Sequence, residues 1–333
     1  MVIVFHSKPS ILATAAVVGP LEKRSVFASY IDRISDDERF EKKSNERGQH
    51  QLINETVDAL LKKRNVRPLD IEYFLAGDLV NQMTPTNFAA KTLAASFIGL
   101  FSACATSVSA VIVAALLTEL GASKLAIAGA SSHHNATERQ FRYPVNYGAQ
   151  KPGYAQWTVT GAGFCLIGPQ QPEENHPIIV AATVGKVVDY AQTDPFFMGA
   201  AMAPAACDTL IQHLEQRQQT LQSYDVIFTG DLGIYGLKIL KALLLEKGMQ
   251  AEHLECLRDA GKEFYGDDQA FQAGASGAGC SAVVFFNYVM EQMRSGRFKR
   301  VLLIATGALL SPLSFQQGET IPCTAHAVEV VME

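Results

Sequence analysis

Gly99-Leu-Phe-Ser-Ala-Cys104-Ala-Thr-Ser-Val-Ser-Ala-Val-Ile-Val-Ala-Ala-Leu-Leu-Thr-Glu-Leu-Gly121 is the stretch on which the reading of this chain turns. A short apolar segment enters it, a tight turn of small residues carries Cys104, and a helix apolar on nearly every face leaves it, stopped by Gly121. One thiol therefore stands at a helix N-terminus. Unpaired backbone N–H groups and the positive end of the helix dipole there either favour a thiolate or hold an anionic ligand.

No charged residue occurs from Thr92 to Thr118, a run long enough to raise a membrane-spanning reading. Ser96, Ser102, Thr106, Ser107 and Ser109 punctuate it, Gly99 breaks it, and no aromatic belt or basic flank frames it. A deeply buried strand and helix account for the same composition. The 333 residues are 48% hydrophobic and 18% charged, which describes a large interior and one large or two fused α/β domains. A net charge of -5 with dispersed basic residues gives no general attraction to nucleic acid or anionic lipid. The six cysteines are far apart, form no C-x-x-C pair and follow no signal-peptide pattern, so free thiols in a reducing compartment are expected. No zinc or EF-hand spacing appears, and no metal or cofactor is expected.

Outward from the central stretch the chain repeats itself. Ile71–Ala76 reads as a strand ending in Gly77-Asp78-Leu79, and Tyr224–Thr229 as a strand ending in Gly230-Asp231-Leu232. Gly274-Ala-Ser-Gly-Ala-Gly-Cys280 opens a helix as Cys104 does, and Gly129-Ala130 is matched by Gly307-Ala308. Two similar halves, 1–175 and 176–333, are expected, with right-handed crossovers and a largely parallel sheet. The charged segment Glu22–Gly48 reads as an exposed arm, and Asn135–Ala155 as a lid or pocket wall.

Each chemical candidate has a plain alternative. Cys104 is either a reactive thiol or a small core hydrophobe. The glycines of 274–279 lack the ending of a phosphate-binding P-loop, and close helix packing explains them. His133 and His134 are adjacent, so one is expected to face a pocket and the other solvent. Arg139 and Arg142 offer planar donors for carboxylates, with surface ion pairing as the alternative.

A strand, then a cysteine opening a buried helix, within two repeated halves, resembles the thiolase-fold superfamily, which includes the ketoacyl synthases. The chain is most similar there to the stage V sporulation AD proteins of spore-forming bacteria. Ala-Gly-Asp-Leu, Ala-Cys-Ala-Thr-Ser, Glu-Arg-Gln-Phe-Arg-Tyr-Pro, Met-Ala-Pro-Ala-Ala, Gly-Cys-Ser-Ala-Val-Val and Ala-Thr-Gly-Ala-Leu-Leu-Ser-Pro carry the likeness over nearly the whole length. It implies an α/β, thiolase-like fold of two pseudo-repeated βαβαβ halves in a five-layered α/β/α/β/α sandwich, normally a homodimer. It also implies binding of dipicolinic acid, with or without calcium. The family works with the membrane-embedded SpoVA proteins, peripheral to the inner membrane of the developing spore, in uptake during sporulation and release during germination.

Condensing enzymes of this fold need a histidine and an asparagine, or two histidines, beside the cysteine. This chain has Thr229-Gly230-Asp231 where the ketoacyl synthases carry histidine, and Gly277-Ala278-Gly279 where they carry Asn-x-Ser. The resemblance thus implies a binding pocket and no catalysis. The N–H groups of the Cys104 turn and Arg139 or Arg142 are expected to hold the two carboxylates, with Phe196, Phe197 and Met198 as an apolar wall. His133, Thr229, Asp231 and Gly277 complete the expected site. The alternative is an acyltransferase with Cys104 as nucleophile and Asp231 or His133 as base.

Overall fold

The computed structural model describes residues 1–141, 151–171 and 173–333. The first half supplies β1 (Ser10–Val18), β2 (Tyr73–Gly77), β3 (Ser96–Gly99), β4 (Ala126–Ser132) and β5 (Gly161–Gly168). The second supplies β6 (Ile178–Val184), β7 (Val226–Thr229), β8 (Leu257–Asp259), β9 (Arg300–Ala308) and β10 (Cys323–Val331). Their spatial orders are β3-β2-β4-β5-β1 and β8-β7-β9-β10-β6, the same permutation twice. A single pairing, Ser10 with Ile178, joins β1 to β6 and makes the two sheets one continuous path.

The pairing directions repeat as well, but they are not largely parallel. In each half the first three strands of the order are parallel, and the last two are antiparallel to their neighbours. The fifth strand of each half lies antiparallel beside the fourth. An antiparallel neighbour needs no crossover helix to restore its direction.

Helices fill the layers according to their apolar faces. α1 (Asn45–Arg64) is capped by Ser44, whose side chain accepts from Arg47 N, and it buries Leu52, Ile53, Val57, Leu60 and Leu61 on the first sheet. α2 (Thr106–Glu119) is apolar all round because it lies between the two sheets. Beside it runs α6 (Ala278–Val283), continued by a π-turn (Val284–Val289) and a last helical turn (Met290–Arg294). Ser107 Oγ and Ser281 Oγ, 2.9 Å apart, join these two central helices. α3 (His134–Phe141) follows β4, while α4 (Met198–Arg217) and α5 (Gly233–Glu246) cover the outer face of the second sheet. Three apolar clusters result, one in the middle layer and one under each outer layer, giving the five-layered sandwich. Among the described residues no helix is long and apolar enough to cross a membrane.

The segment expected as an exposed arm is a strap across both halves. Phe27 packs on Phe264 and Tyr288, Tyr30 packs on Tyr288, and Ser25 Oγ donates to Phe264 O at 2.8 Å. Toward the first half, Ala16 N donates to Asp32 and Thr160 N donates to Glu22. Most charges of this segment lie on its outer side, while its aromatic residues and the inward-bonded Glu22 and Asp32 are the anchors. Of the expected lid, α3 forms the beginning, and residues 142–150 lie outside the described residues.

Candidate functional site

Two glycines determine how closely the Cys104 turn can seat. A Cβ on Gly77, at the end of β2, would stand 1.9 Å from Leu100 O, and one on Gly307, in β9, 2.1 Å from Ser102 O. Only bare backbone lets both halves approach the turn. Ala103, next to the cysteine, takes a left-handed backbone at φ +48°, a strained conformation of the kind that aims the following side chain. Thr106 Oγ1 holds the turn by accepting from Ser102 N at 3.1 Å and donating to Ala103 O at 2.7 Å.

The buried Cys104 thiol donates to the carboxylate of Asp231. Asp231 also accepts from Ser276 Oγ at 3.0 Å, Gly277 N at 2.9 Å and Thr306 Oγ1 at 3.1 Å. Its hydrogen-bond donors among the described residues are all neutral. Burial raises its pKa, and the donors pull it partly back. Beneath it, Asp259 accepts from Thr229 Oγ1, Leu232 N, Gly233 N and Lys262 N at 2.7 to 2.9 Å. These bonds clamp the loop that carries Asp231. Cys280, the repeat of Cys104, is buried, and desolvation with the nearby carboxylates pushes its thiol well up.

Above Cys104 opens a narrow cleft between the halves. Leu79, Phe101, Phe141, Met198 and Leu310 make its apolar walls, and Thr137, Glu138, Thr158 and Ser276 its polar ones. Glu138, 3% exposed, accepts from Thr158 Oγ1 at 3.0 Å and pairs with Lys151 at 3.2 Å.

Cys104, Met198 and Gly277 line this cleft, Asp231 lies against Cys104, and Thr229 stands one step lower on Asp259. Phe197 is half-buried beside it, its ring on Tyr154 and Tyr235. Arg139 does not line it: on the outward face of α3 its guanidinium pairs with Glu46 at the start of α1. Arg142 lies outside the described residues. Neither histidine of the adjacent pair lines the cleft. His133 is wholly buried, its Nε2 donating to Glu38 O at 2.9 Å, and desolvation pushes it down to about 4, so it is neutral. His134 stacks on Trp157 with centroids 4.1 Å apart. Thr137, Glu138 and Phe141 were missed from the sequence. Helical period is the signal that would have found them, since Thr137 and Phe141 share a face turned away from Arg139. Among the described residues no three His, Cys, Asp or Glu side chains gather as a metal cage.

The model of the family described as stage V sporulation protein AD matches residues 1–331. The chain belongs to that family. The stage V sporulation protein AD of Bacillus subtilis (strain 168) is 44% identical over 327 residues, covering 98% of this chain and 95% of that protein. Solved structures similar to this family member include an OleA variant of Xanthomonas campestris, at 14% identity and a TM-score of 0.61 over 99% of both chains. The Bacillus anthracis acetyl-CoA acetyltransferase follows at 12% and 0.60, over 99% of this chain and 100% of that one. The 3-oxoacyl-[acyl-carrier-protein] synthase III of Aquifex aeolicus VF5 gives 11% and 0.57, over 97% and 99%. At these identities the likeness is one of fold alone, the thiolase-like fold that the family uses.

Proposed function

We propose that this stage V sporulation AD protein binds dipicolinic acid in the cleft above Cys104 and does not condense acyl thioesters. The observation that carries the reading is the hydrogen bond from the Cys104 thiol to buried Asp231. A thiolate at Cys104 would set a second negative charge against that carboxylate, whose other donors are neutral. No histidine or asparagine lines the cleft among the described residues. A condensing enzyme needs such groups for its oxyanion and its proton.

The same cleft suits a flat aromatic diacid. Phe101, Phe141 and Met198 offer a slot for the ring, and the buried Thr137 hydroxyl, which has no hydrogen-bond partner, offers a donor for a carboxylate oxygen. Arg142 follows Phe141 directly and is the guanidinium assigned to a ligand carboxylate. In this proposal the protein works as a homodimer beside the inner membrane of the developing spore, passing the ligand to and from the membrane-embedded SpoVA proteins, with or without calcium. The sheet edge at β3, exposed along most of its length and carrying Phe97, with Phe101 just beyond it, is the surface assigned to the second copy.

Calorimetric titration with dipicolinic acid, with and without calcium, tests the reading, with picolinic acid as the single-carboxylate control. Saturable heat that falls sharply for picolinic acid is expected, and weakening by Arg142→Ala. Absence of heat overturns it. The strained turn and the thiol at a helix N-terminus favour one second reading, acyl transfer through Cys104 with Asp231 as base. Labelling by an acyl thioester that Cys104→Ser abolishes would establish that instead.

A further inference from the structure

A second pocket lies on the strap side of α3, away from the Cys104 cleft, with a volume of about 350 Å³. Glu22, Glu38, Asn135, Thr160, His134 and Trp157 line it. Thr160 brings its two carboxylates together, its N donating to Glu22 Oε1 and its Oγ1 to Glu38 Oε1, both at 2.9 Å. Tyr265 OH also donates to Glu22 Oε1, at 3.2 Å.

The other oxygen is the anomaly. Glu22 is wholly buried, and its Oε2 has no hydrogen-bond partner. An acceptor stripped of water and left without a donor costs about 1–3 kcal/mol, more if charged. Gly19 adjoins it, where an added Cβ would stand 2.9 Å from Thr160 Cγ2 and 3.0 Å from Oε2, so bare backbone packs against both. His133, 3.9 Å from Glu38 Oε1, is neutral and brings these carboxylates no positive charge. Desolvation, with Glu38 adding to it, raises Glu22 to about 8, as expected for carboxyls lacking a positive partner.

We infer that this pocket is a site for a hard divalent cation of the magnesium kind, held by Glu22 and Glu38 with the oxygens of Asn135 and Thr160 and by retained water. Two carboxylates with neutral oxygens do not close a cage, which suits an ion that dehydrates reluctantly and keeps several waters. An organic ammonium fits less well. The Trp157 ring, the aromatic surface it would use, is already covered by His134 at 4.1 Å and by the Lys151 ammonium at 4.7 Å. The ion would bridge the strap, which carries both glutamates, to the first half through Thr160. The inference stands independently of what the Cys104 cleft binds.

Trp157 is the single tryptophan of the chain and lines the pocket, so it reports on the site directly. The full-length protein, stripped with a chelator, is titrated with terbium(III) while the tryptophan is excited. Saturable sensitised emission that magnesium displaces is expected. Glu38→Gln should weaken terbium roughly tenfold or more, and Gly19→Ala, which crowds Oε2, should weaken it too, both with unchanged circular dichroism. Emission that never saturates, or that both variants leave unchanged, would mean that scattered surface carboxylates hold the probe, and overturns the inference.

Discussion

Asp231 sits where a base would be useful and is bonded as a structural acceptor, and its substitution separates the two roles. Asp231→Asn removes the charge that a thiolate would face, so alkylation of Cys104 by iodoacetamide at neutral pH should quicken about tenfold. Slower alkylation would instead identify Asp231 as the group that takes the thiol proton. Glu22 makes a prediction of opposite character. Its pKa rises from 4.5 to about 8, so the folded protein holds a proton that the unfolded chain has lost between those values. With more protons bound in the folded state, stability falls as pH rises from about 4.5 to about 8. Glu22→Gln should flatten that slope, read as melting temperature across the same range, and magnesium should flatten it for the parent protein. Cys104 was legible because small residues surround it in a run otherwise apolar. Glu138 was not, because burial of one carboxylate on a short polar helix depends on Lys151 and Thr158, distant in the chain.

Strands and helices carry their own record in the spacing of apolar residues, and the record is incomplete in a specific way. The runs at Tyr73–Gly77 and Val226–Thr229 announce buried strands, yet nothing in their composition states the direction of the neighbour. The parallel sheet expected from strand–helix alternation failed at β5 and β10 for that reason. The attachment of α4 to the second sheet is an element-scale feature with a measurable consequence. Glu329 on β10 is wholly buried and accepts from Arg217 Nε of α4 at 2.9 Å and from Arg300 Nε of β9 at 2.8 Å. Burial alone would raise its pKa, but the hydrogen bonds from His213, Arg300 and Arg217 hold it at about 2, below the usual 4.5. The stability this supplies is complete above pH 4.5 and is lost as pH falls toward 2. Glu329→Gln should cost about 3 kcal/mol at neutral pH, somewhat less than a fully enclosed pair because both guanidiniums reach solvent. Urea denaturation at pH 7 and pH 3 checks both statements: the deficit of the variant should shrink at the lower pH.

At the scale of the whole molecule, duplication organises the protein, and the strap is the part that duplication does not explain. Repeated motifs such as Gly77-Asp78-Leu79 and Gly230-Asp231-Leu232 made the two halves visible in the chain. The strap was invisible because its partners, Phe264 and Tyr288, lie more than two hundred residues away. If it fastens the halves, Phe27→Ala should cost about 3 kcal/mol in urea denaturation, against at most ~0.5 kcal/mol for a side chain on a free arm. The shared strand order leaves the third strand of each half at an open rim, one at either end of the continuous sheet. The two rims are finished differently. β3 is exposed along most of its length, whereas β8 is three residues long, mostly buried, and guarded by Arg258, which bonds Glu263 and Tyr288 and lies over Phe228. A building block adhesive at both ends would propagate into a filament. With one end blunted, a strand added at β3 would leave no second open rim, so growth by strand addition would stop at a particle of finite size.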